Sequence, residues 1–107
     1  MARYLLIESG GPWESGTTAG FYRLAQDLAG QGHEVTVYLV QNGVLAARAG
    51  AREVGLADVA AHARVFADDF SLRERGIAVR DLRASILPAG IEAVADMLAD
   101  GVRAIWH

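Results

Sequence analysis

The stretch GHEVTVYLVQNGV, residues 32–44, joins a helix stop, a buried strand and a polar turn, and its reading decides the fold. Gly32, or Gly30 just before it, can close a preceding helix. Residues 35–40 are β-branched or bulky and apolar at nearly every position, as expected of a strand covered on both faces. Gln41-Asn42-Gly43 then supplies the polar turn chemistry that ends such a strand.

Working outward, the same alternation repeats. Upstream, Phe21, Leu24, Ala25 and Leu28 recur with helical spacing, and Thr17 or Thr18 can cap the start of that helix. Before it, residues 3–8 carry the apolar run Tyr4-Leu5-Leu6-Ile7 of a first buried strand. Downstream, residues 43–49 predict a short helix, with Gly50 as its left-handed terminal residue. Leu56, Val59, Ala60 and Ala63 again have helical spacing, and residues 64–67 read as a third strand. Residues 70–75 predict a brief helix closed by Gly76, with Ile77 making the apolar contact that accompanies such an end. Residues 78–87 are ambiguous, with a short strand near 85–87 as one option. Pro88 suits a first helical turn, Ile91, Val94, Ala95 and Leu98 form one apolar stripe, and residues 102–106 return as the last strand. Strands alternating with helices predict an α/β domain built on a mainly parallel sheet.

Composition bounds the rest. At 107 residues the chain reads as one domain over 1–107, and 52% apolar with 21% charged residues is a globular balance. A formal charge of −3 argues against nucleic acid or an acidic membrane as main partner. Apolar runs fall well short of the ~20 residues that span a bilayer, and the amino terminus lacks a signal-peptide core, so a cytoplasmic home is expected. There is no cysteine, which excludes disulfides, thiolate metal sites, persulfide carriage and thiol nucleophiles. Lysine is also missing, which excludes Schiff-base chemistry and a lysine-dependent phosphate loop.

Parallel strands would gather Glu8, Ser9, Gln41, Asn42, Asp68, Asp69 and His107 along their carboxyl ends, where open α/β sheets bind ligands. Asp68 and Asp69 pose the most pointed question. Adjacent carboxylates could hold a hard metal or perform acid–base work, but successive strand residues point to opposite faces, which favours one as a helix cap and the other in solvent. His33, His62 and His107 show no metal-ligand spacing, and His107 is the best placed of them for function. The loop 11–18 has phosphate-loop spacing, yet Thr17 stands where the lysine belongs and Glu14 adds an opposing charge. Trp13 and Phe21, with Trp106, are better read as interface packing than as a cofactor box, and no cofactor or metal is implied. Arg73, Arg75, Arg80 and Arg83 form a basic region with Glu74 and Asp81 interspersed, which favours a solvated face or intersubunit ion pairs over nucleic acid.

Over nearly its whole length the chain resembles the DsrE/DsrF-like (TusD-like) family. The resemblance rests on Tyr4-Leu5-Leu6-Ile7, Gly11-Pro12, Gly32-His33-Glu34-Val35, Asn42-Gly43-Val44 and the run from Phe70 through Arg75-Gly76-Ile77. It implies a three-layer α/β/α domain with a sheet of about five strands, and assembly as trimers, hexamers or mixed complexes with a related partner. In sulfur-relay members a persulfide-bearing cysteine ends the strand just before the helix that corresponds to Phe70 through Arg75. By spacing back from Arg75-Gly76 it falls on or next to Asp68, and aspartate can neither carry nor exchange sulfur. The resemblance therefore implies a noncatalytic oligomeric binding or scaffold subunit, linked to sulfur relay at most by docking a cysteine-bearing homologue. The alternative is a metal- or small-molecule-binding enzyme that uses Asp68 or Asp69 with His107.

Overall fold

In the computed structural model, which describes residues 1–14, 16–52 and 55–107, the stretch at 32–44 becomes β2 (Glu34–Leu39) followed by a 3-10 turn, Gln41–Ala47. Ser15, inside the loop 11–18, and Glu53 and Val54 lie outside the described residues. With β1 (Arg3–Glu8), β3 (Arg64–Asp68), β4 (Ile86–Ala89) and β5 (Arg103–Trp106), β2 forms a five-stranded sheet in the order β4-β3-β2-β1-β5. Every neighbouring pair is parallel. The sheet is thus wholly parallel.

Parallel strands need crossovers, and the right-handed rule places them. From β1 to β4 the chain steps in one direction, so α1 (Thr17–Gly30), α2 (Leu56–Ala60) and α3 (Asp69–Glu74) share one face of the sheet. The connection from β4 back to β5 runs the other way and puts α4 (Ile91–Ala99) on the second face. Leu6, Val37, Leu39 and Val65 pack against Phe21, Tyr22, Leu56 and Leu72 on the first face. Leu5, Ile7 and Tyr38 meet Val94 and Val102 on the second.

The helix ends follow local chemistry. Gly32 at φ 89° lets its own N–H reach Ala29 O (3.0 Å) and the His33 N–H reach Leu28 O (3.2 Å), so Gly32 and not Gly30 turns the chain out of α1. The same pair of bonds closes α3, from Gly76 N to Arg73 O (3.2 Å) and from Ile77 N to Leu72 O (2.9 Å). Ile77 packs against the first-face core, as its sequence position predicts.

Three local expectations are corrected. Neither Thr17 nor Thr18 caps α1: Gly16 is the cap residue, Thr17 is already helical, and Thr18 is buried in the interior. Pro88 opens no helix but pairs with Ala67 inside β4, where an edge strand leaves one side of the backbone without a neighbour and tolerates the missing N–H. The segment after β2 winds as a 3-10 turn from Gln41, two residues earlier than the helix expected at 43–49. Gln41 takes φ 54° to enter it, a left-handed backbone that costs a non-glycine residue roughly 1 kcal/mol.

Candidate functional site at the carboxyl edge of the sheet

The chain leaves β3 toward one face and β4 toward the other, so the crevice of a doubly wound sheet opens between Asp68 and Ala89. Tyr38 fills it. Its buried hydroxyl donates to Asp68 Oδ1 at 2.6 Å and lies 3.3 Å from Ala89 O. The other carboxylate oxygen accepts from the Ser71 N–H (3.0 Å) and the Ser71 hydroxyl (2.6 Å), which makes Asp68 the N-cap of α3. Ser71 Oγ in turn accepts the Gln41 N–H at 2.8 Å. One buried carboxylate therefore ties β2, β3, α3 and the 3-10 turn together.

The charge of that carboxylate is set by opposing causes. Burial pushes its pKa up, but the Ser71 hydroxyl, the Tyr38 hydroxyl, the Ser71 N–H and the nearby Arg73 outweigh it and hold the group below the ordinary value of 3.8. Burial, followed by the hydrogen bond to and charge of Asp68, raises the Tyr38 phenol well above its ordinary 10.0. Asp69 faces away, half exposed, with an i,i+4 contact to Arg73 at 3.7 Å. The two aspartates do not share a site.

Asn42 makes a second link, accepting from Arg75 Nε (3.1 Å) and Nη2 (3.0 Å) and so bracing the 3-10 turn against the end of α3. At the opposite side of the sheet, Glu8 and His107 form a third group. His107 Nδ1 lies 2.8 and 3.0 Å from the two Glu8 carboxylate oxygens, and the Gly10 N–H donates to Glu8 Oε2 at 3.0 Å. The Glu8 side chain is 0% exposed, and the imidazole stacks on Phe21 at 5.0 Å. Ser9 holds the residue from behind, its N–H (3.0 Å) and hydroxyl (2.9 Å) both donating to His107 O. A buried carboxylate beside Nδ1 orients the ring and leaves Nε2 with no partner among the described residues.

The seven edge residues singled out from sequence thus divide. Glu8, Ser9 and His107 are together, Gln41 and Asp68 are joined through Ser71, Asn42 is bound to Arg75, and Asp69 stands apart. Asp68 and His107 cannot act as a pair, because β2 and β1 separate β3 from β5, three strand spacings or about 14 Å. Of the expected interface residues, Trp13 and Trp106 are exposed, whereas Phe21 is 7% exposed and is spent on the core and the His107 ring. Its helical spacing with Ala25 put it on the buried face. Glu8 as the partner of His107 was readable in part: it shares its strand face with Leu6, two residues earlier, and that face is the covered one. Tyr38 and Ser71 carried no comparable sign. Among the described residues no group of three or more His, Asp or Glu could hold a metal ion.

No protein-family model and no curated protein matches the sequence. Solved structures do. The ychN protein from E. coli superposes with a TM-score of 0.88 at 16% identity, with 100% of each chain covered. MTH1491 from Methanobacterium thermoautotrophicum, described as a protein of unknown function, matches at 0.81 and 14% identity over 97% of this chain and 99% of its own. BT1422 from Bacteroides thetaiotaomicron matches at 0.65 and 12% identity, over 98% and 95%. At such identities the likeness establishes a shared α/β fold and no activity. No helix among the described residues is long and apolar enough to cross a membrane.

Proposed function

We propose that this chain is a noncatalytic DsrE/DsrF-like subunit that works by assembling with copies of itself, or with a related cysteine-bearing partner, and not by carrying sulfur. One observation carries the reading. Among the described residues only α4 covers the second face of the sheet, turning Val94 and Met97 inward and leaving Ile91 (62% exposed) and Leu98 in the open. Leu87 on β4 and Trp106 (64% exposed) on β5 stand uncovered beside it, on the same face as Phe66 and Ile7 by strand register. The apolar stripe read on α4 is therefore only partly used within the chain, and large side chains flanking one helix favour an interface core. At the position the resemblance gives to the sulfur carrier stands Asp68, which has no sulfur to exchange and instead caps α3 and accepts from Tyr38.

The test is the introduction of two charges on that face. Leu98→Glu with Trp106→Arg is expected to weaken self-association at least about a hundredfold, since burying each such side chain is worth ~1.5–3 kcal/mol. Both positions are exposed, so the monomer fold should be retained. Unchanged association in the double variant would remove this face as the interface.

A second reading is favoured by the Glu8–His107 pair, which gives the enzyme alternative an oriented imidazole without Asp68. It predicts a hydrolytic or isomerising turnover that is lost both in His107→Ala and in Glu8→Gln. Turnover that survives in His107→Ala, or none across a broad substrate panel, would leave the first reading alone.

A further inference from the structure

We infer that the cavity between the 3-10 turn and the α3–β4 connection is a binding site for a small molecule bearing a phosphate group. The cavity, of about 420 Å³, is lined by Arg48, Arg75, Arg80 and Asp81 together with Ala49 and Ile77. Its charge comes from three different segments, which the sequence does not group: Arg48 follows the 3-10 turn, Arg75 ends α3, and Arg80 lies in the short 3-10 turn Val79–Asp81. The basic region read from sequence is split by the fold, with Arg73 turned to Asp69.

Two of the guanidinium groups are ordered by the protein itself. Arg48 Nε donates to Leu45 O at 2.9 Å, which leaves the N–H groups of its two terminal nitrogens without a partner among the described residues. Arg75 is gripped by Asn42 Oδ1 and by Ser71 O (3.3 Å) and is also 3.6 Å from Glu74. Arg80 is exposed and has no hydrogen-bond or ion-pair partner among the described residues. Planar forks fixed before a ligand arrives match the oxygens of a phosphate, and less side-chain freedom is lost when it binds. Arg83 is occupied close by, with its Nε on Ala46 O (3.1 Å) and its terminal nitrogen on Ala51 O, so it buttresses the wall rather than adding a free donor.

The opposing charges are Asp81, on the lining, and Glu74 beside Arg75. Three cations against two carboxylates favour an anion that takes its donors from Arg48 and Arg80, with Arg75, held by Asn42 and Ser71, as a fixed part of the wall. The volume falls within the range of small-molecule sites and exceeds what a bare phosphate fills, so the remainder, against Ile77 and Ala49, suits a compact organic group.

The experiment is an NMR titration of the intact chain with phenyl phosphate, with inorganic phosphate and phenol as separate probes, at constant ionic strength because exposed guanidinium groups respond to salt. Saturable shifts of the Ala49, Gly76 and Ile77 amides are expected with phenyl phosphate, weaker ones with phosphate, and none with phenol. Arg80→Gln should weaken phenyl phosphate binding about tenfold, whereas Asp81→Asn should strengthen it several-fold by removing a like charge. A merely structural role for these exposed side chains would not give opposite signs. Arg23→Gln, on the exposed side of α1, should change nothing. Absence of saturation with phenyl phosphate, or Arg80→Gln and Asp81→Asn moving the affinity in the same direction, would overturn the assignment.

Discussion

Gly43→Ala is expected to lower stability by roughly 3 kcal/mol, and so to lower Tm by on the order of 10–20 °C in a chain of this size. A Cβ at position 43 would sit 2.2 Å from the main-chain oxygen of Glu8 and 3.1 Å from its carbonyl carbon. Backbone cannot step aside as a flexible side chain can. That same oxygen accepts the Val40 N–H at 3.0 Å, and the Gly43 N–H is bonded to Val40 O at 3.0 Å, so relief would tear the junction where β1 and β2 end. The disturbance would also reach the buried Glu8 carboxylate and the histidine it holds. Gly20→Ala is the matched control: position 20 is exposed within α1 with nothing within 4 Å of the added carbon, so the variant should gain up to ~1 kcal/mol from helix propensity. Thermal unfolding of the pair separates close approach from a general cost of replacing glycine.

Asp68→Ala should cost about 3 kcal/mol, combining a lost N-cap, which takes the acceptor from the Ser71 N–H and hydroxyl, with a Tyr38 hydroxyl left only its longer contact to Ala89 O. Asp68→Asn should cost less, because it keeps the shape but turns an NH₂ toward one of the donors. The pH dependence has a definite sign. The folded-state pKa of Asp68 lies below the ordinary carboxylate value of 3.8, so its contribution is complete above that value and is lost as pH falls through the folded value. Tyr38 is raised above its ordinary 10.0, so its contribution is complete below pH 10 and is lost as the pH rises beyond it. Denaturant unfolding across pH should show a plateau between those limits. Asp68→Asn should remove the acid-side decline due to this group while leaving other carboxylates to titrate.

Much of the fold was legible because it depends on periodicity. Continuous apolar runs at β1 and β2, helical spacing in α1 and glycines at 32 and 76 each carry a local signal that tertiary contacts reinforce. Pro88 misled because its fixed φ fits a helix start as well as an edge strand, and only the position of β4 in the sheet distinguishes them. The Thr17 and Thr18 expectation failed for a similar reason: Gly16 takes the cap position, so Thr17 is already the first helical residue and neither hydroxyl sits where a cap would.

The site was legible as an edge but not as a set of partners. Parallel topology correctly collects the strand ends, yet which ends touch depends on the strand order, and the order β4-β3-β2-β1-β5 sends Asp68 and His107 apart while bringing His107 onto Glu8. The grouping of Arg48 with Arg75 and Arg80 likewise needed three-dimensional contact between segments distant in sequence.

The most direct measurement is sedimentation velocity on the purified chain at micromolar concentration. Assembly through the α4 face predicts one discrete species larger than a monomer, a trimer or hexamer if the family resemblance extends to assembly, and its dissociation in the Leu98→Glu, Trp106→Arg variant. A wild-type chain that sediments as a monomer throughout, and stays so when mixed with a cysteine-bearing homologue, would contradict the proposal that this protein works as an assembling subunit.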